Sequence, residues 1–451
     1  MKKYTLILLT AFGLTVFSGC DDILDVEPTT AIEADSAVID FITLERAAIG
    51  AYSALQSTNY YGWRYLLYQD VYADNMMHVG TFTTDQEVYA RDINASNLQI
   101  SSTWASIYTV INRANIVLRD ADRLQNITED QRAQIKGEMF FLRALAHFDL
   151  VKVFGPVPLV VTPTTTIAEI QDQPRATEAQ VYEAIIADLQ AAETNLAGGI
   201  VTRATSSAAS ALLARVYLQR GNNALAEQKA DEVITTGPFS LAPAFASIFT
   251  NETGPEIIFE IDFTTNDQNG LGASSDPATA GQKFYLTADA YEALQASAQN
   301  GDTRFSATTL QQGTRRRLIK YEDIVNNTDN VPVIRLAEMY LIRAEARARQ
   351  GAANNQAPDQ VIEDINTIRT RAGLQPLQDL TNAEALAEIL EQRRLEFIGE
   401  GHRFMDLRRY NLTCDVLGFC EDNNNAFRNL WPIPLQEIEV NPNLLPQNPG
   451  Y

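Results

Sequence analysis

Between Leu213 and Pro238 the chain carries a spacing that few folds accept: Leu213-x3-Tyr217-x3-Gly221-x4-Ala226-x3-Ala230-x7-Pro238. These offsets match the helix–turn–helix unit of a tetratricopeptide repeat. Small Ala226 and Ala230 let two helices approach closely, Gly221 permits the tight turn between them, and Pro238 ends the second helix. One such pair cannot bury its apolar face alone, so it needs stacked neighbours. Tyr340 to Gly351 followed by Val361 to Arg371 reads as a second pair with a longer connecting loop, 352–359. The segments 131–154 and 177–196 form a candidate third pair, interrupted by the Pro- and Thr-rich stretch Pro156 to Pro174. Helical periodicity also runs through Ile107, Ile111, Asn115 and Leu118, and from Ala383 to Phe397. β-like runs are few, at Glu256 to Phe263 and Arg317 to Tyr321. The expected class is mostly α: a tetratricopeptide-like helical-repeat scaffold with an irregular, loop-rich face. Helix pairs are expected near 131–238 and 335–371, and loop-rich excursions near 59–100 and 264–330.

The N-terminus stands outside that fold. Met1-Lys2-Lys3 is a positive start, and the apolar run Leu6 to Phe17 is shorter than the ~20 residues a spanning helix needs. Ser18 and Gly19 then lead into Cys20. This pattern is a secretory signal, residues 1–19, ending in a lipobox-like site with Phe17 where Leu is preferred. Cys20 is expected to be acylated and to become the mature N-terminus, tethering a soluble body to a membrane surface. The bland alternative is an ordinary cleavage site that happens to precede a cysteine. No other stretch is long and apolar enough to span a bilayer.

Charge and composition remove several functions. The chain has 57 acidic and 35 basic side chains, a net charge of −22, and loss of Lys2 and Lys3 with the signal makes it −24. Nucleic-acid binding in general needs a basic face to displace counterions, so it is not expected here. Three His residues and no CxxC leave little material for a zinc or haem site, and no cofactor is expected. Once Cys20 is set aside, Cys414 and Cys420 remain, spaced C-x5-C; in an exported chain they form either a short-loop disulfide or two free thiols.

Several ordered blocks carry a family likeness. They include Asn112-Arg113-Ala114-Asn115; Phe141-Leu142-Arg143-Ala144 with His147-Phe148 and Phe154-Gly155; Leu341-Ile342-Arg343-Ala344-Glu345-Ala346; and Ile365-Asn366 with Arg369, Arg371-Ala372-Gly373-Leu374. Then come Arg393-Arg394-x-Glu396-Phe397-x2-Glu400-Gly401-His402-Arg403-x2-Asp406-Leu407-Arg408-Arg409, Trp431-Pro432-Ile433-Pro434, and Asn441-Pro442 through Gln447-Asn448-Pro449-Gly450-Tyr451. Together with the lipobox they resemble the SusD/RagB family of outer-membrane nutrient-binding lipoproteins, over nearly the whole mature chain, 20–451, read as one domain. The resemblance implies a partner, a SusC/RagA-like TonB-dependent transporter, and a glycan ligand or in some members a peptide. It implies no catalysis. Asp21-Asp22 after the Cys resembles surface-export signals of Bacteroidota lipoproteins, which favours the outer face of the outer membrane.

Glycan capture needs flat apolar faces and planar hydrogen-bonding groups. The densest aromatic stretch is Asn59 to Tyr72. Tyr61, Tyr65, Tyr68 and Tyr72 follow one helix face and read as core. Tyr60 and Trp63 fall off that face and are binding candidates, as are Asp74, Asn75 and His78 in the following loop and Tyr89 and Arg91 near its end. Lys283, Phe284 and Tyr285 close the second candidate loop. Trp104 reads as core and Trp431 as packing for the tail. Asp422-Asn423-Asn424-Asn425 has oxygen ligands but not the spacing of a calcium loop, and reads as a solvated turn. The charged cluster Arg393 to Arg409 invites an acid–base reading. Helical spacing instead suggests that Arg393 meets Glu396 and Glu400 meets Arg403, with His402 in a structural hydrogen bond and Glu345 likewise structural.

Two other functions compete. An enzyme would be expected to show GxSxG, SxxK, HExxH, a P-loop or GxGxxG, and none is present, although distant glycosidase carboxylates escape such a search. A helical-repeat adaptor without its own ligand would need no aromatic excursions.

Overall fold

The computed structural model describes residues 37–164, 169–170, 173–278, 283–351, 355–418 and 425–451. The signal segment, Cys20, Cys420 and Asp422 to Asn424 lie outside the described residues. The first half opens with α1 (Phe41–Leu55) and α2 (Arg64–Tyr72), then β1 (Met76–His78) and α3 (Thr83–Ala90). Two long helices follow, α4 (Leu98–Arg123) and α5 (Glu129–Phe154), and after them the short pair β2 (Val157–Pro158) and β3 (Arg175–Ala176). Next come α6 (Glu178–Asn195), α7 (Ser206–Gln219), α8 (Asn223–Thr236) and β4 (Ile257–Ile261). β5 (Phe284–Leu286), α9 (Ala288–Ala298), β6 (Thr309–Gln312), β7 (Arg315–Leu318) and β8 (Val331–Arg335) lead to α10 (Leu336–Arg349), α11 (Asp359–Ala372), α12 (Asn382–Phe397) and α13 (Arg403–Arg409).

Local chemistry sets the helix starts. Thr128 with Gln131, Thr177 with Gln180 and Thr381 with Glu384 each form a reciprocal capping box at the heads of α5, α6 and α12. Each cap satisfies donors that the first helical turn leaves unpaired, worth about 1 kcal/mol apiece. Gly221 turns α7 into α8 with φ +73°, the left-handed conformation its position in the repeat requires.

The helices stack as a chain of neighbours: α1 on α4, α4 on α5, α5 on α6, α6 on α7, α7 on α8, α8 on α10, α10 on α11 and α12. This is the helical-repeat scaffold expected from the sequence. The contact of α8 with α10 bridges the whole segment 237–335, which leaves the stack after one helix and rejoins it before the next. The segment 56–97 similarly leaves between α1 and α4. Part of the latter packs inward, because α2 is buried from Tyr65 to Tyr72.

A continuous apolar core runs from Val38 to Leu444. Tyr61, Tyr65, Tyr68 and Tyr72 are buried in it, as are Trp104 and Trp431. Trp431 packs edge-on to Phe154 at 5.8 Å between ring centres, and its backbone N–H donates to Val153 O at 2.7 Å, so the tail is fixed against α5.

The excursion 237–335 is joined to the C-terminal helices by buried charge. The Arg335 guanidinium reaches Glu256 at 2.7 Å, Glu396 at 3.0 Å and Glu400 at 2.8 Å, all with side chains at most 2 % exposed. Glu396 also accepts from Arg304 at 3.2 Å and from Arg371, and Lys320 reaches Glu400 at 2.6 Å. The cluster read as structural is structural, but its pairs differ from the helical spacing. Arg393 bonds Asp406 at 2.8 Å and Arg403 bonds Asp74 at 2.7 Å. His402 is partly covered, with its ring against Phe397 and its Nδ1 3.5 Å from Arg393 Nη2. Burial and the surrounding arginines push its pKa well down, so it is neutral.

Candidate functional site

The two excursions meet. β1 pairs antiparallel with β5, with Met76 opposite Leu286, Met77 opposite Tyr285 and His78 opposite Phe284. The Val79 N–H continues the ladder to Lys283 O at 3.0 Å, and Gly270 N–H donates to Gly62 O at 2.8 Å. The two loops singled out by composition are therefore one surface in space.

Strand alternation divides the four candidate residues on this ladder by face. His78 and Phe284 point inward, where Phe284 lies 5.5 Å from Trp63 and 6.3 Å from Tyr68 between ring centres. His78 is covered, its Nδ1 3.4 Å from Gln86 and its Nε2 3.9 Å from Asp85; burial lowers its pKa and keeps it neutral. On the other face, Met77, Val79, Lys283 and Tyr285 share one side of the pair.

Most of the first loop serves the interior, which corrects its reading as ligand surface. Tyr60 is fully covered, and its hydroxyl and that of Tyr61 both donate to Asp149 Oδ2, at 2.6 and 2.8 Å. Lys152 holds the other oxygen of that carboxylate at 2.7 Å. Trp63 is 5 % exposed, pressed against Gly270, with the Arg64 guanidinium 4.5 Å from its ring centre. Asp74 is claimed by Arg403 and Arg394, and Asn75 is buried and donates to Asp70 at 2.6 Å. Arg91 bonds the carbonyls of Tyr72 and Ala73, and Tyr89 is half-buried against the core. An aromatic that lies off a local helix face is not thereby exposed: packing on the second excursion, at Gly270 and Phe284, covers Trp63.

What the surface presents lies between and beside those residues. Val79 and Phe82 are 48 % and 44 % exposed, at the turn after β1. The β6–β7 hairpin, in register from Thr309 opposite Leu318 to Gln312 opposite Arg315, packs β7 beside β5. It carries three successive arginines, Arg315, Arg316 and Arg317. Arg315 Cζ lies 5.7 Å from the centre of the Tyr285 ring, and Arg316 Cζ lies 5.5 Å from that of Tyr291. Tyr285 is covered, and burial pushes its phenol up. Lys283 is half-buried and donates to the backbone carbonyl of Asp276 at 2.8 Å. Sequence reasoning missed Val79, Phe82 and the hairpin arginines, although the run Arg315-Arg316-Arg317 in an acidic chain was a readable signal.

The arrangement offers two exposed apolar side chains and, on the neighbouring hairpin, the exposed Arg315, with Arg316 turned to the other side of the strand and Arg317 buried. Among the described residues, no three His, Cys, Asp or Glu side chains gather into a metal cage, and no helix is long and apolar enough to cross a membrane. Cys414 is disulfide-bonded.

Comparison with known proteins converges on one family. Residues 22–218 match the family described as "Starch-binding associating with outer membrane", and residues 288–451 match the "SusD family". The chain is 27 % identical to SusD-like protein P25 of Formosa agariphila, with all of both chains covered. It is 34 % identical to the starch-binding protein SusD of Bacteroides thetaiotaomicron over 27 % of this chain and 22 % of that one. Among solved structures, a laminarin-binding SusD-like protein superposes with a TM-score of 0.77 at 25 % identity, covering 91 % of this chain and 99 % of the other.

Proposed function

The chain belongs to the SusD family, and from that premise we propose that it is a surface-exposed lipoprotein that captures oligo- or polysaccharide and delivers it to a TonB-dependent, SusC-like transporter in the outer membrane. The observation that carries the reading is the β1–β5 pairing, which joins two excursions from the helical stack into one face. That face combines exposed Val79 and Phe82 with hydrogen-bonding cations, the combination that sugar rings and their substituents require. Relatives named for starch and laminarin binding support a carbohydrate as the ligand. The helical stack is the remaining surface and is assigned to the transporter. Binding and release need no bond-making step, so the protein is read as a receptor and not an enzyme.

A glycan array with protein beginning at Asp21, run beside Phe82→Ala, tests this. Phe82 is exposed, so the variant should fold as the parent does and bind the captured glycan more weakly. A parent that binds no glycan while hydrolysing one would replace the receptor reading with an enzymatic one. A parent that binds only peptides would move it to peptide capture.

A further inference from the structure

Many arginines of this molecule hold carboxylates, among them Arg304, Arg335, Arg343, Arg371 and Arg409, and others such as Arg91 and Arg113 hold backbone carbonyls. Arg315, Arg316 and Arg317 form no ion pair among the described residues, in a chain with 57 acidic side chains against 35 basic ones. They sit side by side on β7, and strand alternation sends Arg315 and Arg317 toward Tyr285 and Arg316 toward Tyr291.

Around Tyr285 the polar groups are left open. Its hydroxyl is buried without a hydrogen-bond partner, with Tyr285 2 % exposed. The Nε of Arg317 is likewise buried and unpartnered, with that residue 8 % exposed. Lys283 Nζ is bonded to a backbone carbonyl and not to a carboxylate. Asp276 is the acid that faces Lys283 and Tyr285. Against it stand Lys283, Arg315 and Arg317, so the local balance is cationic while the whole chain is strongly anionic. The exposed Arg315 therefore stands over Tyr285 with no carboxylate partner among the described residues, and the buried Nε of Arg317 lies on the same side of the strand. A guanidinium fork matches the two oxygens of a carboxylate or sulfate in one plane.

We infer that the captured glycan is anionic, carrying carboxylate or sulfate groups, and that Arg315, Arg317 and Lys283 bind those groups while Met77 and Val79 lie against the sugar faces. This rests on the glycan-capture reading and names its substrate class. It also accounts for the location of the surplus cations. A surface of net −22 repels a polyanion at long range, and a local basic face is what admits one.

The test is calorimetric titration of the protein from Asp21 with a polyuronate, a sulfated galactan, the carboxyl-reduced form of the same polyuronate, and a neutral glucan. One acidic polymer should bind; which of the two binds separates carboxylate from sulfate. If the polyuronate binds, its reduced form should not. The double variant Arg315→Gln/Lys283→Gln should bind that polymer at least about tenfold more weakly, the loss expected for hydrogen bonds between charged groups. Its melting temperature should stay near the parent's, because Arg315 is exposed and Lys283 half-exposed. Arg317→Gln tests the covered member of the row separately. Neutral glucan binding at parental strength to the double variant overturns the inference and leaves glycan capture standing. Failure of every glycan overturns both, and binding of an acidic protein surface alone would reassign the arginines to a protein partner.

Discussion

A single guanidinium holds much of this molecule together. Arg335 is 1 % exposed and touches Glu256, Glu396 and Glu400, which belong to an excursion and to the end of α12. Removing it takes the shared partner from three buried carboxylates and leaves them to Arg304, Arg371 and Lys320 alone. Arg335→Met should therefore lose roughly 3–5 kcal/mol in urea unfolding. A loss below about 1 kcal/mol would mean that water reaches the cluster. Glu345 carries the pH dependence of a neighbouring network. Burial alone would raise its pKa, but Arg409, Arg393 and Arg349 overcome burial and hold it at about 2 against 4.5 in the unfolded chain. The unfolded state thus takes up the proton first as pH falls. Its stabilisation is complete above pH 4.5 and lost toward pH 2, an effect of roughly 3 kcal/mol. Glu345→Gln should flatten the stability profile across that window, and an unchanged slope in acid titration of unfolding would refute the assignment. The structural role of these charges could be read from spacing, but their partners could not. In a buried network the partner is chosen by the helix packed opposite, as Asp406 is for Arg393, and not by the next turn of the same helix.

Single elements show where a short-range reading stops. The pair α7 and α8 was legible because its turn glycine and small alanines are local requirements of one motif. The pair β1 and β5 was not, since each strand has three residues and Met77 meets Tyr285, far away in the sequence. Composition marks both loops as regions, but which of their residues turn inward follows only from the strand pairing and the packing of one excursion on the other. Trp63 measures the difference. It fills the space between α2, Gly270 and Phe284, so Trp63→Ala should cost about 3–5 kcal/mol of stability, as buried aromatics do. Phe82→Ala, on the exposed turn of the same excursion, should change stability by less than about 0.5 kcal/mol. Thermal and chemical unfolding of the two variants side by side checks the assignment; equal stabilities would return Trp63 to the surface.

At the scale of the whole molecule, the fold separates two jobs. The stacked helices form a continuous body, and both excursions leave it at breaks in the stack and converge on one small face. The receptor proposed here works only if held at the membrane; among the described residues no helix is long and apolar enough to cross one, and a net charge of −22 is repelled by anionic lipid surfaces. The attachment proposed above is by acyl chains on Cys20, and stable attachment of that kind takes more than one chain because a single one binds only marginally. Cys20→Ser should leave the body folded, with the circular dichroism and melting temperature of the parent, and move it from the outer-membrane fraction to the soluble one. The fractionation should be repeated in cells lacking the transporter, since a tight partner could retain an unlipidated receptor. Persistence in the membrane fraction under that condition would overturn the lipid anchor and require the protein body itself to bind the bilayer.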